Sequence, residues 1–171
     1  ALIDMPFGLV DQRHQYRDCE AIARKLLGRK HSTVFSVPVM PAIEASSYDE
    51  AKRINEEMIQ KKLSKQSWNI VPKIRELKQF AEGEPGVGNS LAESHPELCF
   101  MSLNHAVPIY ENKKSLDGQE KRLAILRNHV DGIAERIDAF LDRFKRSDVS
   151  FDDAVDATVL AVVAARMESI G

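Results

Sequence analysis

The chain has 171 residues, 24 lysines and arginines against 26 aspartates and glutamates, a net charge of −2 and 43% hydrophobic residues. That length and composition support one compact domain with a sizeable core, and they exclude a disordered or fibrous chain. The charge balance excludes a protein that grips nucleic acid through overall positive charge, so any such binding has to come from a local patch.

Cys19 and Cys99 are too few and too far apart for a disulfide framework, and the longest apolar stretch, 157–165, is too short to span a membrane. A soluble cytoplasmic protein from a reducing compartment is expected, with no membrane partner. The oligomeric state is not legible at this level.

The opening Ala1-Leu2-Ile3-Asp4-Met5-Pro6 reads as the inside of a buried strand, with neither an initiator Met nor a signal-peptide pattern. A helix follows, with Asp18 as its cap, Cys19, Ile22, Ala23 and Leu26 on one face, and Gly28 as its stop. A weaker strand signal lies at 33–37. Ser47 and Glu50 form a capping box ahead of Ala51, Ile54 and Met58, and Pro72 sits at a first helical position before Ile74, Leu77 and Phe80.

Gly83, Gly86 and Gly88 mark a surface loop, followed by a short strand at 90–94. Leu123, Leu126, Val130, Ile133, Ile137, Phe140 and Phe144 recur at helical spacing, with Asp131-Gly132 as the point where the run can break. The last helix, 154–165, is apolar nearly all round, which predicts burial in the core; Ser150 is its N-cap, and Asp152, Asp153 and Asp156 crowd its first turns. Two or three short strands cannot carry this much helix, so an α/β fold with further strands upstream of Ala1 is expected.

Three carboxylates stand where chemistry is usually placed. Asp4 ends an apolar strand, the position outside which ligands gather in sheets with parallel strands; the plainer reading is a turn-capping aspartate bonded to nearby backbone amides. Glu93 ends the second strand in Glu93-Ser94-His95-Pro96-Glu97. His95 between carboxylates is either a proton shuttle, a metal ligand or a hydrogen-bonded partner. Asp156 lies on an otherwise apolar helix, where a charge is costly to bury unless paired or bound to a cation. Asp153 and Asp152, three and four residues earlier, can share its face, although the helix dipole alone explains acids in a first turn.

Converging, Asp4, Glu93, Asp153 and Asp156 would form an oxygen-only site suited to Mg²⁺ or Mn²⁺, one or two ions of which can drive phosphodiester cleavage. No Walker loop, dinucleotide fingerprint, CxxC pair, HExxH or GxSxG occurs. The basic clusters 61–65, 73–78, 113–122 and 143–146 read mostly as solvated faces. Lys113 and Lys114, in a turn-like stretch before Asp117-Gly118, are the better phosphate candidates. Trp68 could stack a base, but a lone Trp is more often packed in a core.

Taken in order, Ile3-Asp4-Met5-Pro6-Phe7-Gly8-Leu9, the segment 17–28, Val34-Phe35-Ser36-Val37-Pro38, Gln66-Ser67-Trp68, Pro72-Lys73-Ile74-Arg75-Glu76, Glu93-Ser94-His95-Pro96-Glu97 and Asp152-Asp153-Ala154-Val155-Asp156-Ala157 resemble domain-of-unknown-function family 429. The resemblance runs to about Arg166. It implies a ribonuclease-H-like mixed sheet flanked by helices, forming a single domain over 1–171 that is incomplete at its N-terminus. It also implies a predicted nuclease with divalent-metal ligands at Asp4, Glu93, Asp153 and Asp156, and a further acid on strands ahead of Ala1.

The expected activity is therefore a metal-dependent nuclease or phosphodiesterase acting on nucleic acid. His95 would assist proton transfer, and Lys73, Lys113 and Arg122 would contact the substrate. Two other readings stand beside it: a ribonuclease-H-like module that binds nucleic acid or protein without cleaving, and a hydrolase of small phosphorylated metabolites.

Overall fold

A computed structural model describes residues 1–12 and 17–168. In chain order the elements are β1 (Leu2–Ile3), α1 (Cys19–Leu27) running into a 3-10 segment (Gly28–Thr33), α2 (Met40–Ile43), α3 (Tyr48–Ile59), α4 (Lys65–Asn69), α5 (Val71–Gly83), α6 (Val87–Ser90), β2 (Ala92–Glu93), α7 (Pro96–Leu103), α8 (Leu116–Arg127), α9 (Ile133–Leu141) and α10 (Phe151–Glu168). The described residues are thus mostly helical, with a two-strand parallel sheet, and the fold is α/β only in a loose sense. No helix among them is long and apolar enough to cross a membrane.

Two compact units divide the chain: Ala1–Asp4 with the chain from Ala92 onward, and Met5–Leu91. In the first, Leu2 lies opposite Ala92 and Ile3 opposite Glu93. The Ala92 N–H donates to Ala1 O and the Ser94 N–H to Ile3 O, both at 2.9 Å. Helix α10 packs against β1, α7, α8 and α9, and its buried Ala154, Val155, Val159 and Leu160 meet Phe100, Leu126, Ile133 and Ile137. Leu2 joins this core. Side chains alternate along a strand, so the face carrying Leu2 is the face toward α10, while Ile3 and Glu93 belong to the other.

The last helix is not buried all round as its composition suggests. Ala157, Ala161 and Ala165 are exposed, because a two-strand sheet and three helices cover one side of α10 only. The run from Leu123 to Phe144 does break, at Gly132, whose φ of 63° opens α9 in the left-handed region that glycine enters without strain. Ser150 caps α10, its Oγ accepting from the Asp153 N–H at 3.3 Å.

In the second unit the strand expected at 33–37 does not form. Its backbone is taken up by side chains instead of a ladder: Arg24 Nε donates to Val34 O at 2.8 Å and Ser67 Oγ to Ser36 O at 2.5 Å. Nearby, buried Asn55 accepts the Val39 N–H at 2.9 Å. With those groups satisfied locally, no neighbouring strand is needed. The strand expected at 90–94 is cut to Ala92–Glu93 because 87–90 closes a helical turn, α6.

The expected face of α1 is also displaced: Ala23 and Leu27 are buried, whereas Ile22 and Leu26 are exposed. Trp68 takes its core reading, packed with Val39, Ala42 and Leu63 and tilted against Tyr48 with ring centres 6.2 Å apart. Arg75, which reads as part of a solvated basic face, donates to Ile43 O and to Ala45 O, closing the end of α2.

Candidate metal centre

Within the first unit, the end of β1, the start of α7, the loop before α8 and the first turns of α10 bring charged groups together. Asp4 follows β1. Among the described residues none donates a hydrogen bond to its carboxylate, so the turn-capping reading is not the one realised. Solvent still reaches Asp4, but surrounding protein crowds the carboxyl and raises its pKa above 3.8. His95 and Lys113 pull that pKa back, while Asp156 and, least of all, Glu93 push it up.

Asp156 lies in the second turn of α10 with its side chain 14% exposed. Lys113 Nζ donates to its Oδ2 at 2.7 Å and lies 3.3 Å from Asp152 Oδ2. Burial raises the Asp156 pKa against the pull of Lys113; the Glu97 charge adds to the rise and Arg122 opposes it. The same contacts act in reverse on their partners. Burial works against the charged form of Lys113, but Asp156 and Asp152 overcome it and raise its pKa; at Asp152, Ser150 and Lys113 overcome burial and lower the pKa.

The expected ligand set is therefore only partly assembled. Asp156 is near enough for its charge to act on Asp4, but among the described residues the two form no three-donor cluster. Asp153 instead turns to the helix end, accepting from the Ser150 N–H at 3.1 Å and Ser150 Oγ at 2.6 Å, and Asp152 takes its place beside Asp156. That choice follows helix geometry, since residues four apart stand one above the other along the axis. Glu93 is exposed, and of the charges that act on Asp4 its influence is the weakest.

His95 caps α7, its Nδ1 accepting the Glu97 N–H at 3.2 Å, which leaves Nε2 as the nitrogen that carries the proton of the neutral ring. Lys113 stands in the site, but bonded to the acids. Arg122 is 1% exposed and donates to Glu97 Oε1 at 2.6 Å and to Gly118 O at 2.9 Å, so the guanidinium expected to meet substrate is enclosed by protein. Lys73 is exposed on α5, in the other unit.

Sequence reasoning missed the Glu97–Arg122 pair, whose two charges both reach Asp156. Its one signal was Glu97 in the first turn of a helix opened by His95-Pro96, where an acid is expected for the dipole alone. Nor did it find the buried Cys99, whose thiol lies 3.1 Å from Ser94 Oγ; burial raises its pKa and the Asp4 charge adds to the rise, while the Ser94 bond opposes it.

Oxygen donors from carboxylates suit a hard divalent cation of the Mg²⁺ or Mn²⁺ kind. Asp4 offers both its oxygens, and Asp156 Oδ1 accepts no bond from the described residues, so the donors present fit such an ion. Comparison with curated proteins finds no match, and comparison with solved structures finds none either. A family model described as "Protein of unknown function (DUF429)" matches residues 1–171.

Proposed function

The chain belongs to the DUF429 family, and from that premise we propose that it is a divalent-metal-dependent phosphodiesterase of the nuclease class, with the ion held between Asp4 and Asp156. One observation carries this reading. Asp4, a carboxylate crowded by protein and repelled by Asp156, has no hydrogen-bond donor among the described residues to compensate it. Such an arrangement costs stability in the metal-free protein, and a cation relieves it.

An ion bound there would supply Lewis-acid polarisation of a phosphoryl oxygen and a bound water of lowered pKa. Asp4 and Asp156 would hold it. The Glu97–Arg122 pair lies against Asp156 and fixes the charge environment of that helix turn. In this reading His95, close enough to act on Asp4 and with Nδ1 bonded to the Glu97 amide, would assist proton transfer. A ribonuclease-H-like architecture is part of this proposal. Its support is an acid at the end of a strand with a parallel neighbour, and an acidic helix packed on that strand.

The test is hydrolysis of bis(p-nitrophenyl) phosphate, single-stranded and duplex oligonucleotides and free nucleotides, with Mn²⁺ or Mg²⁺ added. Asp156→Asn is expected to remove metal-dependent hydrolysis at least 100-fold while the far-UV spectrum stays unchanged, a loss typical of deleting one essential electrostatic group. Hydrolysis undiminished in that variant would sink the assignment.

A further inference from the structure

We propose that the recess at the C-terminal ends of α7, α8 and α10 binds a small organic anion, a ligand with a carboxylate or phosphate head and an apolar body. It is a separate place from the carboxylates. Asp156 and Arg166 stand ten residues apart on α10, about 15 Å of helix.

Three helices build the recess. Each begins at the charged cluster, α7 with Glu97, α8 just after Lys113 and α10 with Asp152 and Asp156, and each ends here. Leu103 closes α7, His129 follows α8, and Val163, Arg166 and Met167 come from the last turns of α10. The space measures about 420 Å³, within the range of roughly 300–1,000 Å³ that small-molecule sites occupy. His105 joins the wall from a turn in which it and Ala106 both lie in the left-handed region, with φ of 52° and 63°. Side-chain-bearing residues enter that region at a cost. Local hydrogen bonds offset it: the Ala106 N–H donates to Met101 O and the Val107 N–H to Asn104 O, both at 2.9 Å, and Asn104 Nδ2 donates to Val107 O at 2.8 Å.

The lining selects the ligand. Its ionisable groups are one guanidinium and two imidazoles, and Leu103, Val163 and Met167 supply its apolar walls. Arg166 Nη1 donates to His129 Nδ1 at 3.3 Å; a guanidinium can only donate, so the ring accepts there and carries its proton on Nε2. Burial, and then the Arg166 charge, hold the His129 pKa below 6.5. The carbonyl ends of the helices explain why cationic side chains gather at this pole, but they do not explain the apolar walls beside them. An anionic head can accept from the five-donor guanidinium and from a ring N–H, which are charge-assisted bonds, while the aliphatic walls cover the body. A cation would meet Arg166, and a neutral apolar molecule would leave the polar side of the recess without the water it displaces.

The experiment titrates the whole, isotopically labelled chain at near-neutral pH without added metal, following the ring signals of His105 and His129 and the methyl signal of Met167. The probes are benzoate, phenyl phosphate and benzyl alcohol, which share one ring and differ in the head. At least one of the two anions is expected to give saturating shifts at all three residues, and the tighter of them identifies the head group. Benzyl alcohol should bind about ten-fold more weakly, the worth of one hydrogen bond to a charged group. Arg166→Met should weaken anion binding by a similar factor, and Arg166→Lys should keep most of it. The comparison of anion with alcohol on the wild type decides alone if Arg166→Met does not fold. No shift at these residues with either anion, benzyl alcohol bound as tightly as the anions, or anion affinity unchanged in Arg166→Met would overturn the proposal.

Discussion

Glu97→Gln isolates the foundation on which Asp156 rests. Arg122 is 1% exposed and Glu97 11%, with Arg122 Nη2 at 2.6 Å from Glu97 Oε1. Arg122 Nη1 donates to Gly118 O at 2.9 Å, the guanidinium lies over the Phe100 ring at 5.5 Å, and the buried Nε has no hydrogen-bond partner among the described residues. Neutralising Glu97 leaves a buried arginine without its counter-ion. Breaking such a pair from one side costs about 3–5 kcal/mol, a large part of the roughly 5–15 kcal/mol that holds a domain folded. With a urea dependence of about 2 kcal/mol per M, the midpoint should fall by roughly 1.5–2.5 M. The double variant Glu97→Leu with Arg122→Met should recover most of that loss, since well-packed apolar residues replace a buried pair at little cost. Urea titrations followed by far-UV circular dichroism read both. A loss below about 1 kcal/mol for Glu97→Gln, the size of a surface pair, would refute the burial argument and return Arg122 to the substrate.

Other outcomes follow from the site. The fold raises the Asp4 pKa above 3.8, so over the interval between the unfolded and folded values the folded chain holds more proton; stability falls as pH rises through it and stays lowered above. Asp4→Asn should therefore melt at a higher temperature than the wild type at pH 7 without metal, and the gain should vanish below about pH 3.8; a lower melting temperature for the variant at pH 7 would contradict the sign. Asp153→Ala should lose a helix cap worth about 1 kcal/mol in thermal melts and leave Mn²⁺ affinity unchanged. Loss of Mn²⁺ binding in Asp153→Ala would restore that residue to the ligand set.

Helices were readable because their signals are local. Gly28 after α1, Ser150 before α10 and Gly132 between α8 and α9 act within one turn of where they stand. Faces were less readable. On α1 the exposed Ile22 and Leu26 look as core-like as the buried Ala23 and Leu27, since composition does not say which side a neighbour will cover. The segment 33–37 has strand-like residues, but the donors that consume its carbonyls, Arg24 and Ser67, lie 10 and 31 residues away.

The site shows the same division. Asp4 and Asp156 could be singled out because each is an acid in an apolar setting. Ser150 bonds both Asp152 and Asp153, and what distinguishes Asp152 is its pairing with Lys113, far away in the chain. The Lys113–Asp156 bond spans 43 residues and the Glu97–Arg122 pair 25, separations at which spacing carries no information about contact. A basic cluster in the sequence therefore concealed one lysine inside the site and one arginine beneath it.

The central claim is that Asp4 and Asp156 share a divalent ion. Anomalous scattering from crystals of the protein soaked in Mn²⁺ locates such an ion directly. The account predicts a peak in bonding distance of an Asp4 oxygen and Asp156 Oδ1, with Lys113 still on Oδ2, and its disappearance in Asp4→Asn. A fully soaked crystal with no peak there, or with its peak on Asp153 or Glu93 away from Asp4, would contradict it.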